Sequence, residues 1–254
     1  MRPTRVAVAI LTIVAAATPT LAQDPFEIQV YEYLTVPRGR WNLETHLNHV
    51  AQGERGTAGV AALHGRTHLT FELTRGLTNY FELAGYLALA RPAGGEPQFA
   101  AWRLRPRFRL PEGKFPVKFS LSTEVAFPQH DFEENSVTLE VRPIIETSLG
   151  PVQIDLNPVV GKALRGPDAA EMWDFEPGAR VGYTISPLLD LSLEYYGATG
   201  PLNSALPRDQ QVHQFYPGAD IQLTDAIVWN IGVGFGATNA GNTRVYKMRL
   251  GWMF

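Results

Sequence analysis

The last ten residues, Val245-Tyr-Lys-Met-Arg-Leu-Gly-Trp-Met-Phe254, decide the fold class. Counted back from the terminus, every second residue is large and apolar or aromatic, and the residues between are mostly polar or small. Successive side chains of a β-strand point to opposite faces, so this stretch predicts a strand with one apolar and one polar face. The apolar face consists of Tyr246, Met248, Leu250, Trp252 and Phe254.

This ending has two interpretations. It would suit an ordinary half-buried edge strand of a soluble domain. It also resembles the closing strand of bacterial outer-membrane β-barrels, whose C-terminal Phe helps the assembly machinery to recognise the chain. That resemblance implies that the five alternating residues are an assembly signal. It also implies partners during biogenesis, namely the barrel assembly machinery and periplasmic chaperones.

The N-terminus predicts export from the cytoplasm. Arg2 and Arg5 precede an apolar run from Val6 to Ala17, and a small-residue site follows, which is the pattern of a signal peptide cleaved after Ala22. The run is shorter than the roughly 20 apolar residues that a membrane-spanning helix needs, and no other stretch qualifies. We therefore divide the chain into a signal peptide (1–22), a periplasmic lead-in (23–39) and a barrel (40–254).

Composition limits the classes of partner and cofactor. Without the two signal-peptide arginines, 20 Lys and Arg face 25 Asp and Glu, a net charge of −5, which argues against nucleic acid as a partner. The chain has no cysteine, and hence neither a disulfide framework nor a lipid-anchor cysteine.

The body of the chain consists of alternating runs, most of them long enough for a tilted strand to cross a bilayer. A soluble sandwich would also alternate. There are twelve runs: Arg40–Gln52, Val60–Thr74, Asn79–Ala90, Gln98–Leu110, Pro116–Phe127, Ser136–Thr147, Pro151–Lys162, Met172–Ile185, Asp190–Ala198, Val212–Leu223, Ala226–Ala237 and Asn242–Phe254.

The positions of the tryptophans favour a membrane barrel over a soluble sandwich. In a sandwich, large aromatic residues would crowd the middle of the strands, whereas lipid-facing barrels carry them at the two water interfaces. All five lie near run ends on the apolar parity. We predict an all-β fold, a transmembrane antiparallel up-and-down β-barrel of 12 strands in a bacterial outer membrane, touching outer-membrane lipids and lipopolysaccharide. Its interface aromatics are Trp41, Trp102, Trp173 and Trp229, with Trp252 in the last strand.

Connections fall into tight turns and longer polar loops, the expected periplasmic and outer sets. No loop is long enough to form a substantial plug. The segment Asp24–Val36 does not fit the count, because a thirteenth crossing would put the termini on opposite sides. It could pack in the lower mouth of the barrel or add an interior strand.

Two stretches carry a family resemblance. Arg75-Gly-Leu-Thr-Asn-Tyr-Phe-Glu-Leu83, and Gln222-Leu-Thr-Asp-Ala226 through Gly236 to the terminus, resemble a family of predicted outer-membrane channels named from meta-pathway phenol degradation clusters. The resemblance implies a channel. This chain departs from the family pattern at Asn79-Tyr80, where Asp-Arg is commoner, and the family supplies no functional residues.

Inward positions carry the charges. Four arginines alternate along Gln98–Leu110, and charged side chains on the lipid face would cost about 2–4 kcal/mol each near the midplane. Folding the hairpins symmetrically about Gly94-Gly95 and Gly113-Lys114 pairs Arg107 with Glu82 and Arg103 with Glu124. It leaves Arg105 and Arg109 without acidic partners. The predicted pore-lining residues are Arg103, Arg105, Arg107, Arg109, Lys118, Glu82, Glu124, Glu140, Arg142, Asp155, Asp174, Glu176, Glu194 and Asp220.

A basic wall opposite an acidic wall would give a transverse field across the lumen, or the two walls could bridge and close it. We expect a passive channel for small hydrophilic or amphipathic solutes. The alternatives are an enzyme acting on lipid or lipopolysaccharide and a closed structural barrel. No catalytic, metal or cofactor site is predicted, since nothing ties the inward His46 and His68 to a serine and His130 lies in a predicted outer loop.

Overall fold

The computed structural model describes residues 24–56, 59–113 and 115–254, so the predicted signal peptide lies outside the described residues. The chain forms a closed antiparallel barrel in which each strand pairs with its sequence neighbours and the first pairs with the last, which confirms the predicted fold class. The strands are β1 Trp41–Gln52, β2 Thr67–Gly76, β3 Phe81–Arg91, β4 Gln98–Arg109, β5 Lys118–Pro128, β6 Val137–Leu149, β7 Val152–Arg165, β8 Asp174–Ser186, β9 Leu189–Ala198, β10 Val212–Thr224, β11 Ile227–Gly236 and β12 Arg244–Met253.

The strand bounds agree with the alternating runs to within a few residues, with one clear difference. The second run begins at Val60, but β2 begins at Thr67. The residues before it form a loop that folds inward, and Leu63 is buried among apolar residues of the lumen. One short 3-10 helix, Pro167–Ala170, lies between β7 and β8, and no helix among the described residues could cross a membrane.

The outer face of the wall is apolar. Trp102 stacks on Phe127 at 3.9 Å between ring centroids, and Trp252 lies 4.6 Å from Phe254. Trp41 is exposed, Trp173 and Trp229 are half-buried, and all lie within a few residues of a strand end. Of the predicted assembly residues, Met248 is half-buried, and the exposed ones are Tyr246, Leu250, Trp252 and Phe254. Large exposed apolar side chains over the whole outer surface suit a barrel whose solvent is lipid.

The two ends of the barrel differ. The short-turn end carries the tight connections, including those after β6, β8 and β10, and the C-terminus. The loop end carries the longer connections, which include 53–66, 129–136 and 199–211. By the usual asymmetry of outer-membrane barrels, we expect the short-turn end to face the periplasm.

Residues 24–36, which we call the N-terminal segment, run inside the lumen and not below the barrel. Phe26 packs near the loop end and Val36 bonds near the short-turn end, so the segment extends along most of the bore. In the described part of the chain it makes no strand ladder with the wall. It therefore fills the lumen as an extended, non-strand element, and the apolar side chains of Ile28, Val30 and Tyr33 are buried there.

Candidate functional site

The lumen wall binds the backbone of the N-terminal segment through side chains. Asn157 on β7 accepts a hydrogen bond from the Tyr31 N–H at 2.7 Å and donates one to the Tyr31 carbonyl at 3.0 Å. The N–H groups of Tyr33 and Val36 donate to Glu146 and Glu82 at 2.8 and 2.5 Å. An extended segment that pairs with no strand has no backbone partners for its N–H and C=O groups. Burying such groups without hydrogen bonds costs free energy. Polar wall side chains remove that cost.

Basic side chains do the same for the carbonyl groups. Arg107 donates to the carbonyls of Glu32 and Leu34, the latter at 2.6 Å. The Gln29 carbonyl accepts from Arg142 at 3.0 Å. The inward basic side chains therefore lie on the wall where the carbonyl groups of the N-terminal segment need hydrogen-bond donors.

Tyr31 is the centre of this arrangement. The guanidinium carbons of Arg142, Arg105 and Arg107 lie 4.3, 5.1 and 5.2 Å from the centre of its ring, within the range of cation–π attraction. Its hydroxyl donates to Glu27 and lies 3.0 Å from the Tyr86 hydroxyl. One aromatic side chain of the segment thus contacts three inward cations of the wall.

The expectation that Arg105 lacks an acidic partner is wrong. Arg105 forms ion pairs with Glu72 and, at 2.8 Å, with Glu82, and it donates to the Tyr86 hydroxyl at 2.6 Å. Arg109 also has a carboxylate, Glu112, at 3.5 Å. The error has a physical cause: Glu72 lies two strands away on β2, and long inward side chains reach across a curved wall as well as along a hairpin.

The register of the first hairpin is as expected, with Arg107 opposite Glu82. The second differs by two residues, since Arg103 faces Ala126 and Arg109 faces Ser120. β5 begins only after Pro116, which has no N–H for the ladder. Arg103 still bonds Glu124 diagonally at 3.0 Å, as well as Asp24 of the N-terminal segment.

The acidic wall does not generate the expected transverse field. Arg180 lies 3.3 Å from Asp155 and 3.0 Å from Asp220, and Lys247 lies 2.6 Å from Glu194. These cations stand on the same side of the ring as the carboxylates, so the charges are neutralised locally.

The remaining predicted residues lie on the same inner surface. Lys118 bonds Glu146 at 2.8 Å, and Glu140 bonds Arg142 at 2.7 Å. Glu176 lines a cavity of about 30 Å³, room for about one water. Asp174, at the start of β8, is half-buried beside Pro201.

A much larger cavity opens at the short-turn end. Its volume is about 550 Å³, and both signs of charge line it together with the N-terminal segment. Its lining includes Glu32, Glu44, Arg107, Arg109, Arg180 and Asp220.

Apolar packing covers the β3–β4 side of the loop end. Phe26 of the N-terminal segment and Phe132 of loop 129–136 are buried in one cluster with small alanines of β3 and β4. Loop 53–66 joins this cover through Arg66, whose guanidinium lies 5.4 Å from the Phe132 ring. The N-terminal segment and these two loops therefore cover one side of the loop end.

Sequence reasoning missed several inward residues. Glu44 and Glu72 have the inward parity of β1 and β2, and Arg249 has it on β12, so the same alternation would have found them. Arg249 bonds Glu44 at 3.0 Å. The contacts of the N-terminal segment carry no such signal, because an unpaired extended segment has no partner strand to set a register.

The two inward histidines have different surroundings. Among the described residues, neither His46 nor His68 forms a hydrogen bond to a serine or threonine. The Nε2 atom of His68 accepts from Arg66 at 3.2 Å, and its ring packs edge-on against Phe26. His46 lies among carboxylates, 3.5 Å from Glu44 and 3.7 Å from Glu72.

The fold is shared with solved outer-membrane barrels. The KdgM porin matches with a TM-score of 0.56 and 8% identity over 84% of this chain and 99% of that one. An outer membrane channel from Pseudomonas putida F1 matches at 0.56 and 13% identity, covering 90% and 100%. The NanC porin matches at 0.55 and 8% identity, covering 84% and 98%. No protein-family model and no curated protein matches the sequence.

At these identities the likeness is one of fold. The closed twelve-strand wall, its apolar outer face and these neighbours define the class: an outer-membrane β-barrel with the architecture of porins and channels.

Proposed function

We propose that the protein is a passive channel for small hydrophilic or amphipathic solutes, with the N-terminal segment as its constriction. The observation that carries the proposal is the 550 Å³ cavity, which is open at the short-turn end and ends against that segment. Its lining mixes charged groups with apolar ones such as Leu34 and Val228, which suits solutes with both kinds of surface.

The attachment of the segment supports a movable constriction. Side chains hold its backbone, and hydrogen bonds to charged groups such as Arg107 and Glu146 contribute about 1.5–3 kcal/mol each. Local displacement breaks a few such bonds and leaves the strand ladders of the wall intact. We infer that solutes pass when part of the segment shifts, without any opening of the barrel.

The competing functions have less support. An enzyme acting on lipid or lipopolysaccharide would need a nucleophile beside a base, and the contacts of His46 and His68 do not supply one. A closed structural barrel has no need for an open cavity of 550 Å³. We further propose that the apolar face contacts outer-membrane lipids and lipopolysaccharide, and that β12 is read by the barrel assembly machinery after periplasmic chaperones deliver the chain.

The test is conductance in planar bilayers with and without residues 24–36. We expect small unitary steps from the full-length protein and steps several times larger from the deletion variant, and faster swelling of liposomes in sugars or amino acids. Leu104→Ala is the matched control, since that side chain is 44% exposed on the outer face of the wall and does not line the cavity. Folding of each variant is checked by heat-modifiable gel migration.

An engineered disulfide that fixes the N-terminal segment to the wall tests the same proposal without a deletion. A Cβ on Gly178 would lie 3.6 Å from Val30 Cγ2, and the chain has no cysteine of its own. In the double variant Val30→Cys and Gly178→Cys, oxidation should lower conductance and a reductant should restore it. Silence of all folded variants in both assays would refute the channel, and hydrolysis of lipopolysaccharide would favour the enzyme.

A further inference from the structure

A cluster of metal-ligating side chains lies in the lumen where the N-terminal segment meets β1 and β2. Glu27, His46 and Glu72 each offer a ligand atom, and these atoms lie within 4.8 Å of one another. All three residues are at least 97% buried. Glu44, the neighbour of His46 on the same face of β1, places Oε2 3.5 Å from the imidazole Nε2.

The imidazole supplies an independent observation. His46 is 1% exposed, yet its Nε2 atom has no hydrogen-bond partner. That atom points at carboxylate oxygens 3.5 and 3.7 Å away, too far for a good hydrogen bond. A buried polar atom without a partner costs about 1–3 kcal/mol, so a group that coordinates it would be stabilising.

One oxygen of the Glu72 carboxylate and one of the Glu44 carboxylate already accept hydrogen bonds from other side chains. Glu72 accepts from Thr74 at 2.7 Å and from Arg105, and Glu44 accepts from Asn42 and Arg249 at 3.0 Å each. Hydrogen bonds of this kind orient the ligands of metal sites. Three carboxylates face the imidazole, and the guanidiniums of Arg105 and Arg249 bind oxygens of Glu72 and Glu44 other than the ones nearest to Nε2.

We propose that Glu27, His46 and Glu72 bind a first-row divalent cation of the Zn²⁺ type, with Glu44 as a fourth ligand. One imidazole with carboxylates is a donor set that Zn²⁺ accepts, with bonds of about 2.0–2.2 Å. A tetrahedral site of that size separates its ligand atoms by roughly 3.4 Å, so the side chains need to close by about 1 Å. Glu44 and Glu72 line the large cavity, which gives an entry path.

The position of the site gives it a consequence. Glu27 belongs to the N-terminal segment, whereas His46 and Glu72 belong to the wall. A bound cation therefore links the segment to β1 and β2 and holds the constriction in place. This consequence rests on the proposed function, but the binding itself does not.

The experiment is metal binding by tag-free, refolded protein in detergent. Zn²⁺ is titrated against a chromophoric chelator, and Co²⁺ absorbance reports the ligand geometry. We expect one Zn²⁺ per chain, at least tenfold weaker binding in His46→Gln and in Glu27→Gln, and no change in His68→Gln. His68 is the matched control because it is an equally buried inward histidine outside the cluster. Heat-modifiable migration establishes that each variant is folded.

Two results would overturn the site: no saturable binding by the wild type, or equal binding by His46→Gln and wild type. An absence of binding would mean that the carboxylates pair with a protonated His46 and take no metal ion. In a parallel bilayer experiment Zn²⁺ is added to the chamber. We expect fewer channel openings in the wild type and no change in His46→Gln. If no folded variant conducts, the channel proposal fails while the titration still decides the metal site.

Discussion

The two ends of the lumen hold the same segment by different means. At the loop end, Phe26 is buried with Phe132 and small alanines, and one arginine, Arg103, joins Asp24 to Glu124. At the short-turn end, charged side chains bind the backbone around Tyr33 and Val36 directly, and a cavity of about 550 Å³ remains beside them.

The difference shows how one barrel can cover part of one end with apolar packing and keep a cavity lined by charged groups at the other. Apolar side chains pack without voids, so they exclude water and ions. The charged side chains at the short-turn end line a cavity that water can fill. We infer that the loop end is the tighter barrier and that the short-turn end determines which solutes reach it.

The largest expected effect is at Glu82. This carboxylate is 1% exposed, accepts from the Val36 N–H and pairs with two arginines of β4. Glu82→Ala leaves the buried Arg107 without a carboxylate partner among the described residues, although Arg105 keeps Glu72, and should lower the free energy of unfolding by about 3–5 kcal/mol. The matched variant Glu124→Ala should cost about 2 kcal/mol less, because its partner Arg103 keeps Asp24. Urea unfolding of refolded protein measures both, and equal losses would contradict the contrast between the ends.

A smaller effect is expected at the loop end. Phe132→Leu keeps the site apolar but loses the contact with the Arg66 guanidinium, so it should cost about 1 kcal/mol. Because this cluster is the tighter barrier, unitary conductance should nevertheless rise. Phe115→Leu, at an exposed phenylalanine of the short-turn end, serves as the control. An unchanged conductance in Phe132→Leu would show that the barrier lies elsewhere along the segment.

The smallest effect is expected at Arg109, at the rim of the large cavity. Its carboxylate partner Glu112 is mostly exposed, and such pairs contribute about 0.2–1 kcal/mol. Arg109→Gln should leave stability within about 0.5 kcal/mol of the wild type and shift the reversal potential slightly toward cations. Glu112→Gln should shift it in the opposite direction. A loss of folding in Arg109→Gln would mean that its bond to the Asn79 carbonyl, at 2.8 Å, anchors the turn.

The wall was predictable from sequence because its signal is periodic. Trp102, Leu104 and Phe108 must face lipid, so the arginines between them must face inward, and no distant contact is needed to deduce this. The start of β2 is the one place where the alternation predicted too long a strand. The run from Val60 alternates, but Leu63 buries its side chain in the lumen and not against lipid.

The site was predictable only in part. Inward parity identified Arg105 and Glu82, and hairpin symmetry identified the pairing of Arg107 with Glu82. It could not identify the ion pair of Arg105 with Glu72, because that contact crosses β3 and joins two strands that are not neighbours. Nor could it place Tyr31, since nothing in its sequence surroundings specifies three guanidiniums as neighbours.

By itself the sequence determined the number of strands, their direction and which face meets the membrane, because the two-residue period repeats these choices in every strand. Only the tertiary structure decided what fills the lumen. Once the wall is closed, charges on different strands face one another, and the unpaired backbone of residues 24–36 finds its donors and acceptors among them. That match depends on distances across the bore, which no local pattern of residues records.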